Sequence, residues 1–73
     1  MRLRYRVRQP LLAVYKKTGV ETVFITIKPD SVITVQGIEQ RSGFVDVSYI
    51  GQIVKVFVRD IEIRADRVEG QTG

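Results

Sequence analysis

Apolar and polar side chains alternate along most of this chain with a period of two residues. Residues 1–8 alternate four apolar side chains with four arginines, and Pro10 follows shortly afterwards. Because residues two apart lie on the same face of a β-strand, this pattern predicts a first strand with one apolar and one cationic face. Pro10 is expected to end the strand, since proline cannot donate a hydrogen bond to a sheet.

The same alternation predicts the other strands and the turns between them. Further strands are expected at residues 11–15, 20–28, 32–36, 44–49 and 53–58, with a last short strand at residues 64–68. Pro29-Asp30-Ser31 is typical of a turn, because proline presets the backbone and Asp bonds back to it. The Ile50-Gly51 step indicates a tight hairpin between two strands.

Three further segments do not follow the strand pattern. Residues 37–43 begin and end with glycine and are expected to form an exposed loop. Asp60 is predicted to cap a single helical turn near residues 60–63. Residues 69–73 are predicted to be a loose tail.

The composition supports a fold made of strands. Val and Ile supply 20 residues, whereas Ala and Leu together supply 5. Because β-branched side chains favour pleated, half-buried surfaces, the predicted fold class is all-β. A chain of 73 residues makes a single small domain, here residues 1–73. We expect a small closed or partly open barrel of five to seven short strands, since closure removes exposed edges.

Four short segments occur in an order that is known from other small β proteins. They are residues 27–35, 49–51, 56–61 and 64–65. These segments resemble the strand-turn-strand, distal hairpin and helical-turn signatures of bacterial SH3-like small β-barrel domains, over residues 20–68. The SH3 domains of signalling proteins bind polyproline helices on a strip of aromatic rings. This sequence has no Trp and no tyrosine-rich segment, so the resemblance does not imply proline-rich ligands.

Positive charge is concentrated at the start of the chain. The formal net charge is +4, and residues 1–8 hold four arginines and no acidic residue, so the remainder is neutral. The candidate binding residues are Arg2, Arg4, Arg6, Arg8, Lys16 and Lys17. Guanidinium groups on one strand face match phosphates or carboxylates, which predicts a binding module for an acidic partner. Nucleic acid and an acidic protein surface both remain open as that partner.

The arginine segment also has structural interpretations. Like charges can defend an edge strand against unwanted pairing, or they can form a solvated face over a buried apolar side. A further interpretation is an assembly protein that homo-oligomerises through its N-terminal strand, with no role in nucleic-acid binding. The four arginines would then serve only solvation.

The residue types present argue against catalysis. The sequence has no Cys and no His, which removes thiolate nucleophiles, imidazole acid–base chemistry and zinc sites of the Cys/His kind. Neither residues 37–43 nor the turn Lys16-Lys17-Thr18-Gly19 has the spacing of a phosphate-binding loop. We therefore expect a non-catalytic protein without cofactor or metal. No apolar stretch approaches the roughly 20 residues of a membrane span, so a cytoplasmic protein without a membrane partner is expected.

Two phenylalanines have two alternative interpretations, one in RNA binding and one in the packing of a hairpin. The segments concerned are residues 42–47 and 56–59. They are similar to the two aromatic motifs of cold-shock domains, whose exposed rings stack on unpaired bases. Asp46, however, stands where that family has its second ring. We therefore favour the interpretation that Phe44 and Phe57 are neighbours across a hairpin on one face.

Overall fold

A computed structural model describes residues 3–16 and 22–68 of the protein. Within these ranges the chain forms seven strands and one short helix. They are β1 (Arg4–Val7), β2 (Leu11–Lys16), β3 (Thr22–Ile27), β4 (Val32–Val35), β5 (Phe44–Tyr49), β6 (Gln52–Phe57), α1 (Val58–Arg64) and β7 (Ala65–Arg67). The predicted all-β class is confirmed. The start of the predicted third strand and the predicted tail lie outside the described residues.

All seven strands belong to one antiparallel sheet with the order β3-β2-β6-β5-β4-β1-β7. The described strands do not close into a barrel, because β3 and β7 lie at opposite edges of the sheet. The closed form of the predicted barrel is therefore not observed. Instead, α1 contacts β1, β2, β6 and β7, so a helix rather than a further strand pair covers this part of the core.

The core lies on the inner face of the curved sheet. Its fully or almost fully buried residues are Val7, Leu11, Ala13, Ile27, Ile33, Val45, Val47, Val54, Val56, Ile61 and Ala65. On each strand these residues alternate with side chains of the outer face, as the period of two predicts. The core is thus built almost entirely from small and β-branched side chains.

The helix differs from the predicted helical turn in its start and in its cap. Helix α1 spans Val58–Arg64, whereas a single turn near residues 60–63 was expected. Its N-cap is Phe57, which makes no side-chain hydrogen bond to the helix, so the prediction that Asp60 caps the helix is wrong. Asp60 lies inside the first turn, where a carboxylate still interacts favourably with the positive end of the helix dipole.

The two predicted turns and the predicted loop are present. Ile50 and Gly51 both have positive φ, at 49° and 75°, and connect β5 to β6 as a two-residue hairpin. Asp30, in the turn before β4, also has a positive φ of 74°, a conformation that Asp tolerates better than most residues. Residues 37–43 contain no strand or helix and are largely exposed.

The described part of the chain lacks both a membrane-spanning helix and a cluster of metal-binding side chains. Neither residues 3–16 nor residues 22–68 contain a helix with the length and apolar character needed to cross a bilayer. The same residues contain no group of three or more acidic, His or Cys side chains that could hold a metal ion.

Candidate binding surface on strand β1

Strand β1 presents two arginines on the outer face of the sheet. Arg4 and Arg6 are exposed, whereas Val7 is completely buried and Tyr5 is partly buried on the inner face. The predicted division of this strand into a cationic and an apolar side is therefore confirmed for residues 4–7. Neither Arg4 nor Arg6 forms a salt bridge with any other described residue.

Strand β1 is held from both sides. It pairs with β4 through Arg4 opposite Thr34 and Arg6 opposite Val32. On its other side it pairs with β7, where Arg6 lies opposite Asp66. Because both of its hydrogen-bonding edges are occupied, β1 is not an edge strand, and the interpretation that its arginines defend an edge does not apply.

Arg8 lies after the end of β1 and is engaged in contacts within the protein. Its Nε lies 2.9 Å from Oδ2 of Asp66, and its Nη2 donates a 2.8 Å hydrogen bond to the carbonyl oxygen of Ile63. Its backbone N–H donates to the carbonyl oxygen of Arg64 at 2.7 Å. The last carbonyl groups of a helix lack partners within the helix, so Arg8 supplies donors and positive charge to the C-terminal end of α1.

A second residue of this connection strengthens the same contact. The backbone N–H of Gln9 donates to the carbonyl oxygen of Arg64 at 3.2 Å. The side chain of Arg64 donates a 3.1 Å hydrogen bond back to Oε1 of Gln9. Hydrogen bonds from the connection between β1 and β2 therefore hold the end of α1 against the sheet.

The structure brings together three of the six predicted site residues. Arg4, Arg6 and Arg8 lie along one short segment, with Asp66 as the acidic residue beside them. Arg2 and Lys17 lie outside the described residues. Lys16 is the last residue of β2, and the position of its side chain is not described.

The two phenylalanines form a stacked pair on the outer face of the hairpin. Phe44 of β5 lies opposite Phe57 of β6, with ring centroids 4.1 Å apart and ring planes at 22°. In the adjacent outer-face pair, Nζ of Lys55 lies 2.9 Å from Oδ1 of Asp46. The cross-strand interpretation of the two rings is confirmed. Each ring covers one face of the other. The pair therefore differs from two separate exposed rings, each of which could stack on a base.

A cleft lies on the inner face of β1, on the side opposite Arg4 and Arg6, and it was not predicted from the sequence. It has a volume of about 190 Å³ and lies between β1, β4, β5, α1 and the loop of residues 37–43. Its lining residues are Leu3, Tyr5, Val35, Gly37, Glu39, Val45, Val58, Ile61 and Glu62. These residues come from five distant segments, so no local motif in the sequence could indicate the cleft. Its walls are mainly apolar, with two carboxylates among them.

Comparison with protein-family models, curated proteins and solved structures found no match for this chain. The charges, exposure and contacts of its own side chains are therefore the observations that bear on its function. Among the described residues, the arginine pair of β1 has the clearest combination of exposed charge and rigid support.

Proposed function

We propose that the protein is a non-catalytic binding module that holds an acidic partner through Arg4 and Arg6. One observation supports this most directly. Both arginine side chains are exposed on one face of β1, and neither forms a salt bridge to another described residue. Nucleic acid and an acidic protein surface both present the anionic groups that such a pair binds.

The spacing and the support of the two arginines suit this role. Residues two apart on a strand lie about 6.6 to 6.8 Å apart, so the two side chains leave the sheet side by side. Each guanidinium can donate two parallel hydrogen bonds to a phosphate or a carboxylate. Because β1 is paired with β4 and β7, its backbone is already ordered before binding, which reduces the entropy lost on association.

Arg8 has a different role in this proposal. Its contacts with Asp66 and with the end of α1 hold the segment after β1 in place. It adds positive charge near the pair, but part of that charge is balanced by Asp66. Arg4 and Arg6 are therefore the residues to which the binding experiment is directed.

We also propose that the fold is an open relative of the SH3-like small barrels. The support is the two-residue hairpin between β5 and β6 and the short helix that precedes the last strand. Because β3 and β7 form the two opposite edges of this sheet, cysteines placed on them should form no disulfide within one chain, and rapid formation of one would contradict the open form.

The binding proposal is tested with two variants of equal charge. Arg4→Gln/Arg6→Gln removes the pair, whereas Arg41→Gln/Arg59→Gln removes two exposed arginines from the loop of residues 37–43 and from α1. Both variants lose the same net charge. The probes are labelled single- and double-stranded DNA and RNA, and a polyglutamate peptide, at about 50 mM salt.

We expect the first variant to lose most of the binding and the control variant to keep it, with circular dichroism showing that both remain folded. Binding to nucleic acid alone or to polyglutamate alone identifies the class of partner. Equal losses in the two variants would mean that the protein uses only its overall charge. Binding of none of the probes by the unaltered protein would contradict the proposal.

A further inference from the structure

Strand β3 forms an unpaired edge of the sheet. It pairs with β2 over all six of its residues, whereas its other side pairs with no described strand. A free strand edge presents backbone N–H and C=O groups that a further strand can bind. The edge of β3 is therefore a place where the sheet can be extended.

The two edges of the sheet differ in how well they are protected. Strand β7 has only three residues, of which Asp66 and Arg67 are charged, and short length and charge are the usual means of blocking an edge. Strand β3 has six residues and no charged side chain. Phe24, at its centre, is 65% exposed on the outer face. Of the two edges of the described sheet, β3 is thus the one suited to accept another strand.

The apolar side chains of the β2–β3 hairpin are incompletely covered toward the end that leads into residues 17–21. Leu11 and Ile27, at the other end, are completely buried. Ile25, Val23 and Tyr15 are only partly buried. Apolar surface of this kind is removed from water when a further strand and its neighbours pack beside it.

The sequence of β3 is nearly symmetric by residue class. Thr22-Val23-Phe24-Ile25-Thr26 places a β-branched residue on each side of Phe24, and a threonine beyond each of these. In an antiparallel pair related by a two-fold axis at Phe24, Thr22 lies opposite Thr26 and Val23 lies opposite Ile25. Phe24 then lies opposite its own copy. Aromatic, β-branched and threonine pairs are those that stabilise antiparallel strands.

We propose that β3 is a self-association edge, through which two copies of this chain pair antiparallel with the two-fold axis at Phe24. Each partner contributes the same surface, as two-fold symmetry requires, and no like charges meet at the strand. The two sheets become one continuous sheet. A contact of six residues a side is smaller than the roughly 20 to 30 residues a side of a standard interface, so the dimer is expected to be weak. The arginines of β1 are not part of it.

The first test uses the absence of cysteine from the chain. Directly opposite residues in an antiparallel pair have Cα atoms about 4.5 to 5.5 Å apart, which fits a disulfide. Under mild oxidation we expect Phe24→Cys to become a disulfide-linked dimer rapidly, and much faster than Ile38→Cys in the exposed loop. Equal rates of cross-linking in the two variants would overturn the proposal.

The second test examines the register by sedimentation at concentrations up to about millimolar. Thr22→Lys/Thr26→Glu places opposite charges across the axis and is expected to keep the dimer. Thr22→Lys/Thr26→Lys and Thr22→Glu/Thr26→Glu place like charges there and are expected to shift the mass back to that of one chain, 8.3 kDa. The Glu pair lowers the net charge, so general repulsion cannot explain its effect.

Arg4→Gln/Arg6→Gln should dimerise as the unaltered protein does, which separates this test from that of the binding proposal. A monomer of the unaltered protein throughout the concentration range, or equal association of all three threonine variants, would overturn the proposed edge pairing.

Discussion

At the scale of single residues, the arginines near β1 show how position decides the role of one side-chain type. Arg4 and Arg6 leave the outer face of the sheet and form no salt bridge within the described residues. Arg8 binds a carboxylate and a helix carbonyl. The alternating sequence makes these arginines look equivalent, because it carries no information on which of them meets the end of α1, 55 residues away.

The structural role of Arg8 predicts an effect on stability. Arg8→Gln removes the ion pair with Asp66 and the charge at the end of α1, and we expect it to lower the free energy of unfolding by about 0.5 to 1.5 kcal/mol. Arg4→Gln, the matched control, should change it by less than about 0.5 kcal/mol. Urea unfolding measures both. Equal stability of the two variants would show that the contacts of Arg8 contribute nothing measurable.

Ile50 provides a second prediction at this scale. It is a β-branched residue with a φ of 49°, and its side chain is 80% exposed, so no packing compensates for the backbone strain. Asn is favoured at this position of a two-residue hairpin. We expect Ile50→Asn to raise the free energy of unfolding by about 1 kcal/mol. Ile50→Val keeps the branched side chain and should bring no gain, so equal values for the two variants would contradict this explanation.

At the scale of elements, α1 is held by one buried side chain and by the hydrogen bonds at its C-terminal end. Ile61 is 3% exposed in the core, whereas Ile63, two residues later, is 56% exposed. The helix contacts β1 and β2 as well as the strands that flank it in sequence. It therefore links distant parts of the sheet, and loss of its anchor should affect the whole domain.

The two isoleucines of α1 form a matched pair for testing this anchor. Ile61→Ala should lower the free energy of unfolding by about 2 to 5 kcal/mol, because it leaves a cavity in the core. A domain of this size has a total stability of only about 4 to 11 kcal/mol. Ile63→Ala should change it by less than about 0.5 kcal/mol. Thermal or urea unfolding that gave similar losses for both would contradict the position of α1.

The sequence predicts the elements of this fold better than their arrangement. The alternation around Val45, Val47, Val54 and Val56 is enough to place β5 and β6, since burial on one face imposes it. The pattern does not reveal the start of α1, because Val56, Phe57 and Val58 continue the strand pattern into the helix. Periodicity does not encode strand order, so the interior position of β1 and the cleft beside it appear only in three dimensions.

At the scale of the whole molecule, the arginine surface and the uncharged strand edge lie near opposite ends of the sheet. The arginine pair lies on β1, next to the last strand of the sheet order, whereas the uncharged edge is β3 at the opposite end. Pairing of two copies through β3 would leave both arginine surfaces accessible. A dimer would then present two cationic sites to one acidic partner, which increases the effective affinity for an extended polyanion.

The measurement that tests the central claim most directly is the slope of log K against log salt concentration for single-stranded RNA, between about 50 and 200 mM salt. Each phosphate contact contributes about 0.7 to the slope. The account predicts a slope that is smaller by about 1.4 in Arg4→Gln/Arg6→Gln than in the unaltered protein, with Arg41→Gln/Arg59→Gln unchanged. Measurable binding with the same slope and affinity in all three proteins would contradict the assignment of the site to β1.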